Sequence, residues 1–117
     1  MIEVLKALAD ETRLRILSQL LKSEMCVCEI EHCLKLTQSN ASRHLTVLKK
    51  AGVLSSYKKA QWTYFKMSED FIDENKELYN YLLRKISTIP SYNEDCDMFQ
   101  SCRKQDICNN IGGHYEQ

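Results

Sequence analysis

Three cysteines lie close together in "EMCVCEIEHC", residues 24–33: Cys26, Cys28 and Cys33. Thiols at this spacing suit a soft metal or metalloid, or a redox pair. The bland alternative is a buried face, since a reduced cysteine packs as a small hydrophobe. Cys96, Cys102 and Cys108 recur every six residues near the C-terminal end, among acids that offer a thiolate no stabilisation. A second group carries different chemistry. "TQSNASRH" offers Gln38, Ser39, Asn40, Ser42, Arg43 and His44, almost nothing but hydrogen-bonding groups, and "YKKAQW" adds Lys58, Lys59 and Gln61.

The surrounding composition narrows both readings. A chain of 117 residues has the length of one domain with a single modest core. One Pro, three Gly and a sustained mix of Leu, Ile, Lys and Glu favour a mostly helical protein. No apolar run approaches the roughly 20 residues of a membrane span, so no membrane partner is expected. The start, "MIEVLKALAD", is amphipathic and carries acids, unlike a signal peptide. A cytoplasmic protein with reduced thiols is therefore expected. Six cysteines permit a disulfide framework, but ligand chemistry is the better reading in that compartment.

Net charge is zero, yet the charges are segregated. From His32 through Ser68 there is no acid, while Lys35, Arg43, Lys49, Lys50, Lys58, Lys59 and Lys66 all fall there. Acids gather before this block (Glu24, Glu29, Glu31) and after it (Glu69, Asp70, Asp73, Glu74, Glu77). Such a chain can turn one positive face to a polyanion while its remaining surface stays acidic. An ordinary solvated surface, by contrast, interleaves its lysines with acids.

The elements that must position these residues follow from periodicity. Ile2, Val4, Leu5 and Leu8 predict a short first helix. Asp10 is a good N-cap for a second, whose Leu14, Leu17, Leu20 and Leu21 recur at helical spacing. "CVCEIEHCLKL" predicts a short third helix on Val27, Ile30 and Leu34. Thr37 caps a fourth with a stripe of Ala41, Leu45 and Leu48, and Gly52 suits the position just past its end. The β-prone runs Val53–Tyr57 and Trp62–Met67, linked by Lys58–Gln61, predict a hairpin. Phe71, Leu78, Leu82 and Ile86 then predict one long helix over 70–87, stopped by Pro90. This order is that of a winged helix-turn-helix: mostly α with a β-hairpin wing. It gives a DNA-binding and dimerisation domain over 1–89, followed by a cysteine-containing tail over 90–117, read as partly irregular.

In that architecture the second helix of the motif places its N-terminal residues near base edges in the major groove. Asn and Gln pair adenine, Arg pairs guanine, and Ser takes base or phosphate. Gln38, Ser39, Asn40, Ser42 and Arg43 are the reading residues expected. His44 is placed among them with a hydrogen-bonding or structural role. Lys58, Lys59 and Gln61 at the hairpin tip would meet phosphate or the neighbouring minor groove, giving affinity rather than sequence preference.

Together "ALADETRLRIL", "MCVCEI", "TQSNASRHLTVLKKAGVL" and "KAQWTYFKMS" resemble the ArsR/SmtB metalloregulatory repressors, and most closely their arsenic-responsive type, over about residues 2 to 86. The resemblance implies a homodimer on operator double-stranded DNA, released when inducer binds. The first and last core helices, here the stripes on residues 2–8 and 71–86, would form the dimer interface. It also implies that Cys26 and Cys28 match the inducer-binding Cys-Val-Cys pair. The family's third cysteine falls where this chain has Glu31, whereas Cys33 lies about 140° round the helix from Cys28. Cys96, Cys102 and Cys108 are alternatives: completing that site, forming a second one, or pairing between subunits on oxidation.

A helix N-terminus favours thiolate, the form that binds soft ions. Residues i and i+2 of a helix point roughly 200° apart, so joining Cys26 and Cys28 on one ion is expected to unwind or bend that turn. As(III) is the expected inducer, with Sb(III) a mimic. Zinc-type relatives use histidine on the last core helix, and none stands beside Asp70, Asp73, Glu74 and Glu77. Cd(II)/Pb(II) sensing with tail ligands is the second reading, and a thiol-disulfide redox-sensing repressor the third. An enzyme would need a pocket with an acid or base near the thiol, and no such constellation is readable in the sequence.

Overall fold

The structure is a computed structural model and describes residues 1–105. Helices α1 (Ile2–Leu8) and α2 (Glu11–Leu20) meet at Asp10, whose carboxylate accepts from the Arg13 N–H at 2.9 Å, the N-cap that the sequence predicts. Such a cap is worth about 1 kcal/mol. Strand β1 (Met25–Cys26) leads directly into α3 (Val27–Cys33), and α4 (Gln38–Lys50) follows. The Thr37 hydroxyl accepts from Asn40 N–H at 3.1 Å and fixes where α4 begins. Between α3 and α4 the chain turns through Lys35 at φ +56°, a left-handed conformation unusual for a side-chain-bearing residue. Gly52, at φ +83° just past the α4 C-cap, occupies the conformation its position predicts.

Strands β2 (Leu54–Lys59) and β3 (Trp62–Met67) form the hairpin. Lys58 pairs Thr63 and Lys59 pairs Trp62, so the turn is only Ala60–Gln61, tighter than the expected Lys58–Gln61 link. Ala60 takes φ +57° to close it. The sheet has three strands, in order β1-β3-β2, because Met25 and Cys26 pair antiparallel with Phe65 and Tyr64.

The expected long helix is two. Helix α5 (Glu69–Glu74), capped by Ser68, ends at Asn75, where φ −133° and ψ 50° break the ladder before α6 (Lys76–Lys85). The Asn75 side chain donates back to the Phe71 carbonyl at 3.2 Å, so it competes with helix continuation. A single 3-10 turn, Ile86–Thr88, follows. The described part of the tail, expected to be partly irregular, is helical. Residues after Pro90 form α7 (Tyr92–Gln105), which packs against α2 and α3. Its weak stripe conceals a polar anchor. Arg15 holds Asp95 through two hydrogen bonds at 2.9 and 3.0 Å and donates a third to the Leu34 carbonyl.

One core joins these elements. Ile16, Leu17 and Leu20 of α2, Ile30 of α3, Leu45 and Leu48 of α4, Phe65 of β3 and Phe71 of α5 are buried together. Helix α4 is therefore held by its apolar stripe, leaving its other side outward.

Candidate DNA-reading face and thiol site

Gln38, Ser39, Asn40, Ser42 and Arg43 are all exposed on α4, as are Lys58, Lys59 and Gln61 at the hairpin tip. Arg43 donates to the Asn40 side-chain oxygen at 3.1 Å, which holds both groups over one stretch of the helix. Lys49 reaches the Ser56 hydroxyl at 2.7 Å and braces α4 against the wing. Lys66 is drawn aside toward Glu69 at 3.7 Å.

His44 departs from the expected reading face. It is buried beside Ala41, Leu45 and Leu48, because residue 44 falls on the inner stripe of α4. Its Nδ1 lies 3.1 Å from an Arg13 guanidinium nitrogen and accepts from it, so Nδ1 is the unprotonated ring nitrogen. Arg13 also donates to the carbonyls of Ala7 and Lys6 at the end of α1. One guanidinium thus ties α1, α2 and α4 together. Burial lowers the His44 pKa, and the nearby Arg13 and Arg43 charges lower it further against the pull of Asp10.

The cysteines separate into distinct environments. The Cys26 and Cys28 sulfurs converge to 2.7 Å in a small cluster of their own with Trp62 and Tyr64. The expectation that joining them must unwind the helix fails, because Cys26 is not in the helix. It is the N-cap of α3, extended at φ −79° and ψ 161°, and belongs to β1; α3 begins one residue later. The Glu29 carboxylate accepts from Cys26 N–H at 3.1 Å and holds this junction. The 200° rule applies within a helix, and a strand-to-helix corner escapes it.

Cys33, at the far end of α3, is packed into the main core rather than beside the pair. Cys102 lies in that same core. Cys96 faces α2 instead, with its sulfur 2.7 Å from the Lys22 ammonium and 3.7 Å from the Gln19 amide nitrogen. Burial pushes the Cys96 thiol up, but hydrogen bonds from Lys22, Gln19 and Tyr92 outweigh it and leave the thiol below its ordinary value. This corrects the expectation that nothing near the tail thiols favours thiolate. The stabilising groups come from α2, distant in sequence. Six residues apart on one helix, Cys96 and Cys102 are about 120° apart in direction and about 9 Å apart along it, so they do not share a ligand. Cys108 lies outside the described residues. Among the described residues, no three His, Cys, Asp or Glu side chains gather as a metal site would require.

The two sulfurs open into a cavity of about 220 Å³ lined also by Gln38 and Ser42 from α4 and by Gln61, Trp62 and Thr63 from the wing. Trp62, Thr63 and Tyr64 escaped the sequence reading. The signal was the hairpin register, which sets Tyr64 opposite Cys26 only once β1 is known.

Comparison with known proteins agrees with this geometry. Residues 10–56 match the family described as bacterial regulatory protein, arsR family. The arsenic resistance transcriptional regulator ArsR1 of Pseudomonas putida is 45% identical over 65 residues, 55% of this chain and 51% of that protein, so the chain spans about half that relative's length. An uncharacterized HTH-type transcriptional regulator, MJ1325 of Methanocaldococcus jannaschii, is 40% identical over 81 residues, 68% of this chain and 91% of that protein. The homodimeric winged helix-turn-helix DNA-binding domain Mb0332 of Mycobacterium bovis superposes with a TM-score of 0.61 at 25% identity, covering 72% of this chain and 78% of that one. An exposed polar helix end beside a hairpin wing, the matched segment and near-complete coverage of a relative at 40% identity lead to one conclusion: the chain belongs to the arsR family of winged helix-turn-helix transcriptional regulators and is not an enzyme.

Proposed function

We propose that this protein is a metalloid-responsive repressor. As a homodimer it binds operator DNA through Gln38, Ser39, Asn40, Ser42, Arg43 and the Lys58, Lys59 and Gln61 tip. It releases that DNA when Cys26 and Cys28 bind As(III), with Sb(III) as a mimic. The observation that carries this reading is the thiol pair inside a cavity walled by the reading helix and the wing. A ligand there bears on both DNA-contacting elements at once. The Pseudomonas putida relative supports the choice of arsenic. The homodimeric Mycobacterium bovis domain supports the assembly, as do Ile2 and Leu5 of α1 and Leu83 of α6, apolar and exposed in the single chain.

A ligand shifts an equilibrium only by its differential affinity for the two states. Coupling of about 1–3 kcal/mol, roughly 5- to 150-fold in operator affinity, is the range expected. Operator binding with and without As(III) tests it. Cys26→Ser and Cys28→Ser proteins should hold DNA and fail to release it, while Cys33→Ser should respond normally. Full release by both single variants of the pair would remove the sensor from this corner.

The closeness of the two sulfurs also favours a redox-sensing repressor, in which peroxide oxidises the pair to a disulfide. Thiol titration after peroxide and after arsenite separates the two. Loss of two thiols to peroxide with DNA release, and no release by arsenite, would favour the redox reading. A Cd(II)/Pb(II) response would need ligands beyond the two sulfurs.

A further inference from the structure

Helix α4 and the wing leave a groove of about 620 Å³ between them, with chemistry unlike that of the thiol corner. Small-ligand sites span about 300–1,000 Å³ and combine apolar walls with a few convergent polar groups. Here Val27, Leu45 and Phe65 supply apolar surface, and Lys49 and Lys50 supply two positive charges. Among the described residues that line the groove, none is acidic. The charges sit toward one end. Ser42 lines both this groove and the thiol cavity, and Lys49 stands seven residues further along α4, roughly 10 Å away by helical rise. The Lys49 ammonium donates to the Ser56 hydroxyl at 2.7 Å, which fixes its position without neutralising it.

We propose that this groove is a binding site for a small aromatic carboxylate and that its occupancy weakens operator binding. The ring lies on Val27, Leu45 and Phe65, and the carboxylate meets Lys49 and Lys50. Charge complementarity selects this class. A DNA phosphate would use the two lysines and gain nothing from the apolar walls. A neutral apolar compound would use the walls and leave both charges unanswered. A flat monoanion uses both, and the lysine stems add apolar surface beneath the ring. The consequence for DNA follows from shared groups. Ser42 belongs to the proposed DNA face, and Lys49 and Lys50 belong to the acid-free basic block, so a bound carboxylate takes up charge that the operator would otherwise meet. By linkage, operator and ligand weaken one another by the same factor. The binding is independent of the thiols; only its effect on the operator rests on the proposed DNA face.

The experiment titrates the full-length reduced protein, by calorimetry at low salt, with three probes of one shape: 1-naphthoate, the neutral 1-naphthalenemethanol and the cationic 1-naphthylmethylammonium. Naphthoate should saturate one site per chain at least about fivefold more tightly than the alcohol, and the ammonium should not bind. Thr46 is exposed on the groove wall, so Thr46→Phe fills the space from α4 and should abolish naphthoate binding. Lys49→Met should erase the preference for the anion while the alcohol still binds. Cys26→Ser should leave naphthoate binding intact, which separates the groove from the thiol cavity. Saturating naphthoate should weaken operator binding by at least about fivefold. Equal affinity for acid and alcohol, binding that survives Thr46→Phe, or no saturable binding below roughly 1 mM would overturn the proposal. So would naphthoate that binds and leaves operator affinity unchanged. Failure of the ligand-free protein to bind operator would instead count against the DNA face, with the calorimetric comparison still deciding whether the groove takes the carboxylate.

Discussion

Arg43 and Lys58 carry the same charge, but their placements suit different contacts with DNA. Arg43 stands on the outward side of α4 with its guanidinium steadied by Asn40, the placement of a base reader. Lys58 and Lys59 stand at a hairpin tip with no such support, as phosphate contacts do. Arg43→Ala should therefore weaken specific operator binding more than nonspecific binding. The pair Lys58→Ala and Lys59→Ala should flatten the salt dependence of log K by roughly one to two units. Filter binding across a salt series checks both, and wild-type behaviour in both variants would place the DNA face elsewhere. His44 makes a separate prediction. Its folded pKa is below the ordinary 6.5, so the stability it contributes is present above pH 6.5 and is lost as pH falls through 6.5 toward the folded value. Below that window, protonation sets a charge against Arg13 and Arg43, relieved only in part by Asp10. Urea midpoints should drop between pH 6.5 and 5 in the wild type and drop less in His44→Gln. The lowered Asp10 pKa acts in a separate, more acidic window, below its ordinary 3.8.

At the scale of elements, what was legible in the sequence was what local chemistry encodes. Asp10 and Thr37 begin helices because their side chains accept from the first turn, and Gly52 ends one because it tolerates a positive φ. Strand β1 was hidden because two residues show no alternation; Met25 and Cys26 are a strand only because Phe65 and Tyr64 lie alongside. The break at Asn75 was masked by an apolar stripe that continues across it. Helix α7 was hidden for the opposite reason: its docking rests on the Arg15–Asp95 pair more than on a stripe. That pair can be tested. Asp95 is 3% exposed, so Arg15→Met strands a buried carboxylate and should cost about 3–5 kcal/mol in urea unfolding. Arg15→Met combined with Asp95→Leu should recover most of it. A single-variant loss below about 1 kcal/mol would mean that α7 is held by other contacts.

Across the whole molecule, the candidate site was half visible. Cys26 and Cys28 declared themselves by spacing, and the polar start of α4 by composition, but nothing local announced that the fold joins them. That joining is the work of the hairpin, which brings Trp62 and Thr63 beside thiols nearly forty residues earlier. It also explains why the described cysteines do not gather at one site. The fold distributes the described ones among a corner, a core and a helix interface.

The position of the thiol cavity has a kinetic consequence. Gln38, Ser42 and Gln61 form its walls and are also the residues that would lie against DNA, so bound operator should close over its mouth. Inducer would then reach Cys26 and Cys28 chiefly in protein that has already let go. The speed of response would be capped by spontaneous departure from the operator, however much inducer is added. Rapid-mixing experiments should show the release rate levelling off at the rate measured with excess competitor DNA. Alkylation of Cys26 and Cys28 should slow in step with operator occupancy. A release rate that keeps climbing with inducer concentration would mean that the cavity stays open on DNA, with the ligand prying the wing away from an occupied site.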